Sequence, residues 1–197
     1  MKNLAEALKE CGAIKFGDFT LASGKKSRYY VDIKKASTNP GLLKLIACRI
    51  SEIMKLHSIN ADYIGGVALG GVPIAVSVSL ETGSPLLMIR KEAKDYGTKG
   101  QIVGDVIPGS KVVLVEDVTT TGGSVIKAIQ ALRDEGLIIH HVITVVDREE
   151  GASESLASAD VELIPLVRMS ELLKKIKKRS DDRFQQVLIT KETKEVP

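Results

Sequence analysis

Four consecutive apolar residues, Val112-Val113-Leu114-Val115, run without interruption into two acidic ones, Glu116 and Asp117. A strand with one wet face alternates apolar and polar residues. A continuous apolar run is the mark of a strand buried on both faces, as in parallel sheets whose crossover helices cover either side. Beyond the acidic pair the chain reads Val118-Thr119-Thr120-Thr121-Gly122-Gly123-Ser124. Val125, Ala128, Ile129 and Leu132 then follow at the spacing of one helix face, and Gly136 closes that helix. This strand–turn–helix unit restricts the chain to an α/β architecture.

The remaining sequence repeats the alternation. Leu4, Leu8 and Cys11 share a helix face, with Gly12 as a stop. Residues 13–35 hold Phe16, Phe19, Tyr29 and Tyr30 and the turn Ser23-Gly24-Lys25-Lys26, which predicts small strands around a tight turn. Asn39-Pro40 supplies a capping side chain and a first-turn proline, so a helix is expected from there to about His57. Residues 63–68 form a short strand, and Leu69-Gly70-Gly71 a glycine-rich turn before a helix over residues 72–80. Strands are expected at residues 85–89, 111–116, 141–146 and 161–166, and a short basic helix over 170–178. Residues 91–104 are polar and punctuated by glycine, the pattern of a loop, and 191–197 read as a loosely ordered tail. The expected fold is a mainly parallel central sheet flanked by helices, formed by one domain over residues 1–197, with about the first 35 as a small subdomain.

Composition removes several functions. There are 28 Lys and Arg against 25 Asp and Glu, and a net charge of +3 is too mild to imply nucleic acid. The run Lys174-Lys175-Ile176-Lys177-Lys178-Arg179 comes without an aromatic platform or an RNA-binding motif, so it reads as a solvated helix face. Cys11 and Cys48 have no CxxC spacing and read as thiols of a reducing compartment. His57, His140 and His141 lack metal-ligand spacing, and adjacent strand residues such as the last two point to opposite faces. The chain starts as a charged amphipathic helix, and no apolar run approaches the roughly 18 residues that span a bilayer. A cytoplasmic protein with no membrane or nucleic-acid partner is expected.

The chemistry concentrates where strand 111–116 ends. Ligands of open α/β sheets sit at the carboxyl ends of strands. Glycines let the backbone approach a ligand, and the hydroxyls and free N–H groups of a helix start cradle phosphate. Two carboxylates just upstream would repel a bare phosphate but suit sugar hydroxyls. The segment therefore calls for a ligand with a phosphate at one end and a ribose diol beside it. The plainer alternative is an ordinary turn with a capping serine. The other phosphate motifs, GxxxxGK[ST] and a helix-opening GxGxxG, are absent from the sequence.

Four apolar residues, two acidic ones and a Thr/Gly-rich turn resemble the signature of type I phosphoribosyltransferases, which bind phosphoribosyl pyrophosphate (PRPP). The resemblance implies the fold of that family, with a small N-terminal hood. It implies that Glu116 and Asp117 contact the ribose hydroxyls, and that Val118, Thr119, Thr120, Thr121, Gly122, Gly123 and Ser124 hold the 5-phosphate.

Arg90-Lys91-Glu92-Ala93-Lys94-Asp95-Tyr96-Gly97 places three cations within five residues, ahead of Gly97 and Gly100 as hinges. A solvated charged loop is one reading. The other is a cationic lid over a pyrophosphate leaving group. The segment resembles the catalytic loop of orotate phosphoribosyltransferases, in which Tyr96 stands where the family usually has His. By this resemblance Arg90, Lys91, Lys94 and Tyr96 bind PRPP, Lys94 and Asp117 are catalytic, and the loop crosses into a partner's site, implying a homodimer with shared sites. Phe19-Thr20-Leu21-Ala22-Ser23-Gly24-Lys25-Lys26-Ser27 resembles the hood over the base. Val145-Val146-Asp147-Arg148 resembles the strand end whose arginine binds the orotate carboxylate, with Thr120 as a second orotate contact. Leu69-Gly70-Gly71-Val72-Pro73 resembles the pyrophosphate loop, where some members have a lysine at the position of Gly70. The implied cofactor is Mg2+, held mainly through PRPP without a direct protein ligand. The implied reaction joins orotate to the ribose 5-phosphate of PRPP, giving orotidine 5'-monophosphate and pyrophosphate, on the way to UMP. The rival readings are a purine phosphoribosyltransferase and a PRPP-sensing regulator on the same fold.

Overall fold

The computed structural model describes residues 3–20, 26–94 and 100–174, with the backbone alone at 93 and 94. Helix α1 (Leu4–Glu10) opens the chain, and the Asn3 side chain accepts a hydrogen bond from the Ala5 N–H at 3.0 Å. Strands β1 (Ile14–Thr20) and β2 (Lys26–Val31) pair antiparallel as a separate two-stranded sheet. The turn expected between them falls mostly outside the described residues. After the short α2 (Lys34–Ser37), helix α3 (Pro40–Leu56) begins as its sequence dictates. Asn39 accepts from the Leu42 N–H at 3.1 Å, and Pro40 takes the first helical position, where no N–H is needed.

From there strand and helix alternate: β3 (Tyr63–Val67), α4 (Gly71–Thr82), β4 (Leu86–Lys94), β5 (Gly100–Val103), β6 (Lys111–Thr119), α5 (Gly123–Asp134), β7 (Ile138–Asp147), α6 (Ala152–Ala157) and β8 (Glu162–Arg168). The six strands form one sheet in the order β5-β4-β3-β6-β7-β8. All neighbours are parallel except β4 and β5. The apolar run of β6 behaves as its sequence requires. Val113 and Val115 pack into a core with α1, α3 and α4 on one face. Val112 and Leu114 pack into a second core with α5 and α6 on the other. Pro165 sits in the edge strand β8, where a missing N–H costs least. Helix α4 lies close on the sheet because two glycines permit it. A Cβ at Gly66 would meet the Ala75 Cβ at 2.7 Å, and one at Gly71 would meet the Val115 carbonyl oxygen at 2.5 Å.

Three local differences from expectation have physical reasons. Part of the polar stretch 91–104 is not loop: β4 continues to Lys94 and pairs back with β5 at the sheet's edge. An edge hairpin has no need of apolar side chains, so its polarity hides it. The Gln101 side chain stitches it by donating to the carbonyls of Arg90 and Lys91, at 3.2 and 3.1 Å. Strand β7 starts three residues earlier than expected, and its register against β6 shifts by one residue between Val112 and Val113. That irregularity falls at His140 and leaves the rings of His140 and His141 only 6.4 Å apart, not separated by the sheet. Helix α6 was not foreseen, because six residues with one large apolar side chain, Leu156, carry no readable period. Residues 169–174 are helical. The rest of the expected basic helix, and the tail, lie outside the described residues. No described helix is long and apolar enough to cross a membrane.

Candidate active site

Strand order fixes where a ligand can sit. From β3 the chain moves outward to β4 and then returns to place β6 on the other side of β3. The helices that follow β3 and β6, α4 and α5, consequently cover opposite faces. The carboxyl ends of β3 and β6 therefore part at a topological switch point, the position where open sheets of this kind leave a crevice. A cleft of about 370 Å3 opens there. Its walls come from Val31 and Lys34, the turn Val67 to Gly70, Lys91 on β4, and Glu116, Asp117, Val118, Thr120 and Ser124. The Ala68–Leu69 peptide in this turn is cis.

Glu116 and Asp117 form the floor, and both are buried. The Asp117 N–H donates to Glu116 Oε1 at 3.1 Å, and the Val118 N–H donates to Asp117 Oδ1 at 2.9 Å. Burial first, and then the adjacent Asp117 carboxyl, push the Glu116 pKa up to about 9. Near neutral pH Glu116 thus keeps its proton, so the floor offers a donor as well as acceptors, the mixture that a vicinal diol needs. Asp117 Oδ2 also lies 3.7 Å from the Lys34 ammonium.

The turn after β6 is built for an anion. Gly122 adopts φ +83, a left-handed conformation that favours glycine, and leads into α5 with no side chain capping the helix. The first N–H groups of α5 are left for another acceptor, at the positive end of the helix dipole. Thr120 and Ser124 line the cleft. Thr119 does not: its buried hydroxyl donates to Asp147 Oδ1 at 3.0 Å. Asp147 also accepts the Glu149 N–H at 3.0 Å, and the Arg148 N–H donates to the Thr119 carbonyl at 3.0 Å. These bonds tie the start of the turn to the end of β7.

Arg148 is thereby held one strand away from the acidic pair, outside the cleft lining. Its guanidinium lies over the Tyr29 ring at 5.4 Å and pairs with Glu150 at 2.8 Å. Its buried Nε has no partner among the described residues. Arg90 and Lys91 lie on β4. Lys91 faces the cleft, while Arg90 Nη1 approaches the Gly100 carbonyl at 3.5 Å. Lys94 ends β4, where only its backbone is described, and Tyr96 lies outside the described residues. Thr121, Gly122 and Gly123 shape the turn without lining the cleft.

Sequence reasoning did not find Lys34, Tyr29 or the clasp of Asp147 on Thr119. All three depend on contacts between segments far apart in the chain, and only the Asp-Arg dipeptide at 147–148 carried a local signal. No group of three or more His, Cys, Asp or Glu among the described residues is arranged to hold a metal by itself. A hard cation such as Mg2+ takes one or two carboxylates plus substrate phosphates and water. The cleft, with its acidic pair placed for sugar hydroxyls and no ligand cluster of its own among the described residues, fits a cation held mainly through substrate oxygens.

Comparison with known proteins follows the same lines. The phosphoribosyl transferase domain family model matches residues 32–164. Orotate phosphoribosyltransferase of Methanosarcina mazei is 58% identical over 173 residues, covering 88% of this chain and 91% of that protein. The crystal structure of orotate phosphoribosyltransferase from Aeropyrum pernix superposes with a TM-score of 0.79 at 36% identity, covering 88% of this chain and 98% of that one. The Mycobacterium tuberculosis orotate phosphoribosyltransferase in complex with PRPP gives a TM-score of 0.71 at 29% identity, covering 86% and 96% of the two chains.

Proposed function

The chain belongs to the orotate phosphoribosyltransferase family, and from that premise we propose that it transfers the ribose 5-phosphate of PRPP to orotate, giving orotidine 5'-monophosphate and pyrophosphate for the synthesis of UMP. The observation that carries the reading is the cleft itself, in which a buried acidic pair sits beside an uncapped helix start at the switch point. The 5-phosphate belongs on the N–H groups and hydroxyls of the turn with Thr120 and Ser124. The ribose diol belongs on Glu116 and Asp117. The anomeric carbon then faces the side of the cleft bounded by the turn after β3 and by Lys91.

The chemistry asks little of the side chains beyond placement. The electron pair of the orotate ring nitrogen forms the new C–N bond. The C–O bond to pyrophosphate breaks with its pair on the leaving oxygen, and the nitrogen's proton passes to solvent or to pyrophosphate. Charge grows at two places: positive on the sugar ring, and negative on the pyrophosphate. Asp117 beneath the ring favours the first, and Arg90, Lys91 and Lys94 favour the second. Mg2+, bound through substrate oxygens, would supply further neutralisation of the leaving group. Arg148, stacked over the Tyr29 ring, would offer its planar guanidinium to the orotate carboxylate for two parallel hydrogen bonds.

The assembly we propose is a homodimer in which the segment bearing Lys94 and Tyr96 reaches the partner's cleft. Val76 and Leu80, one turn apart on α4, and Leu69 just before that helix are exposed, the kind of apolar surface an interface covers. The function is tested by incubating the protein with PRPP, Mg2+ and a panel of bases while following orotate absorbance. PRPP-dependent loss of orotate is expected. Turnover of a purine in its place would overturn the base assignment.

A further inference from the structure

We propose that Lys34 supplies a cation for the pyrophosphate end of the substrate, in place of a side chain that the turn after β3 does not carry; this rests on the reading that PRPP occupies the cleft. Lys34 is the first residue of α2, and its ammonium stands 3.7 Å from Asp117 Oδ2 and 3.5 Å from Asp32 Oδ1. It lines the cleft with Gly70 and Lys91. Pyrophosphate in PRPP is attached to the carbon next to the one bearing the 2-hydroxyl. A cation beside the carboxylate that holds the diol is therefore within reach of the leaving group, on the opposite side of the sugar from the 5-phosphate.

Gly70 explains why the cation comes from elsewhere. A Cβ built there would run into the Asp117 carboxylate as it stands, so in this chain position 70 is open backbone and a side chain there would require that carboxylate to shift. Lys34 approaches the same carboxylate from the two-stranded sheet's side of the cleft and leaves it in place. Among the residues that line the cleft, Lys34 and Lys91 are the cationic side chains.

The contacts of Lys34 also suit a group that changes partners. Both of its ion pairs are longer than the roughly 2.7–2.9 Å of a charge-assisted hydrogen bond. Its side chain is 59% exposed, and an ammonium has three donors, so room remains for phosphate oxygens. Asp32 Oδ1 is buried and accepts no hydrogen bond among the described residues. Its 3.5 Å ion pair gives the ammonium a second carboxylate neighbour besides Asp117. Burial acts to lower the Lys34 pKa, but Asp117 and Asp32 outweigh it and leave the ammonium firmly protonated.

The test is to titrate pyrophosphate and, separately, ribose 5-phosphate into wild type, Lys34→Gln and Lys34→Arg in the presence of Mg2+, and to measure KM for PRPP. In Lys34→Gln, pyrophosphate affinity should fall and PRPP KM should rise, each roughly tenfold or more, as for loss of a hydrogen bond to a charged group. Ribose 5-phosphate affinity should stay the same, and Lys34→Arg should recover most of the loss. Equal weakening of ribose 5-phosphate and pyrophosphate would overturn the proposal, because Lys34 would then act only by holding Asp117. Unchanged pyrophosphate affinity would overturn it as well. Wild-type protein that binds neither ligand would instead overturn the PRPP reading beneath it.

Discussion

Glu116 and Asp117 reach the cleft from the middle of the sheet, whereas Lys91 reaches it from near the edge. Strand β6 has a parallel neighbour on each side and a covered core on each face. The acidic pair is buried and hydrogen-bonded to its own backbone, and the turn that follows is fastened to β7 through Asp147. Strand β4 keeps its pairing with β3 only as far as Ile89. Beyond that residue its ladder partner is β5, through a register that shifts between Ile89 and Lys94. The part that would grip ribose and 5-phosphate is thus set by the core. The part that would meet pyrophosphate is carried on the β4–β5 edge and on the exposed side chain of Lys34 in α2. Binding of ribose 5-phosphate and binding of pyrophosphate should accordingly separate under mutation.

The sharpest separation is expected at Lys94. Lys94→Ala should lower kcat about a hundredfold, the scale for removing one group that stabilises transition-state charge, and should weaken PRPP binding far less. An unchanged kcat would remove Lys94 from the chemistry. A smaller effect, confined to the other substrate, is expected at Arg148. Arg148→Ala should raise KM for orotate by roughly tenfold or more with little change in KM for PRPP, because only the carboxylate's hydrogen bonds are lost. A rise in PRPP KM alone would place Arg148 on the wrong substrate.

The smallest effect concerns the core-built half without ligand. Glu116 is held at about 9, above its ordinary 4.5, by burial and then by Asp117. Between those values the folded protein keeps a proton that the unfolded chain releases, so this group makes stability fall as pH rises through the window. Glu116→Gln removes that contribution. Its Tm should fall less than that of wild type between about pH 6 and about pH 8.5, as followed by circular dichroism. Equal slopes would mean that Glu116 is not protonated in the folded state.

How far the sequence foretold these features depends on how local their causes are. The cap and first turn of α3 rest on Asn39 and Pro40, which act within one helical turn, and both were legible. The double-sided burial of β6 was legible from four apolar residues, as was the anion-ready turn from its glycines and hydroxyls. The end of β4 was not, since an edge ladder tolerates the polar residues that otherwise mark a loop. The start of β7 was hidden by the register shift near His140. Within the cleft, the acidic pair was visible as a short motif. Lys34 was not, because nothing in Asp32-Ile33-Lys34-Lys35 reveals that its ammonium meets a carboxylate more than eighty residues along the chain.

The division between a grip set by the core and a cationic side carried on the β4–β5 edge and Lys34 is tested most directly by measuring ribose 5-phosphate and pyrophosphate binding to wild type and Lys94→Ala by calorimetry. On this division, ribose 5-phosphate affinity should agree within about twofold between the two proteins, as for independent sites, while pyrophosphate affinity should drop in the variant. Parallel loss of both would contradict it, because the two sides of the cleft would then act as a single unit.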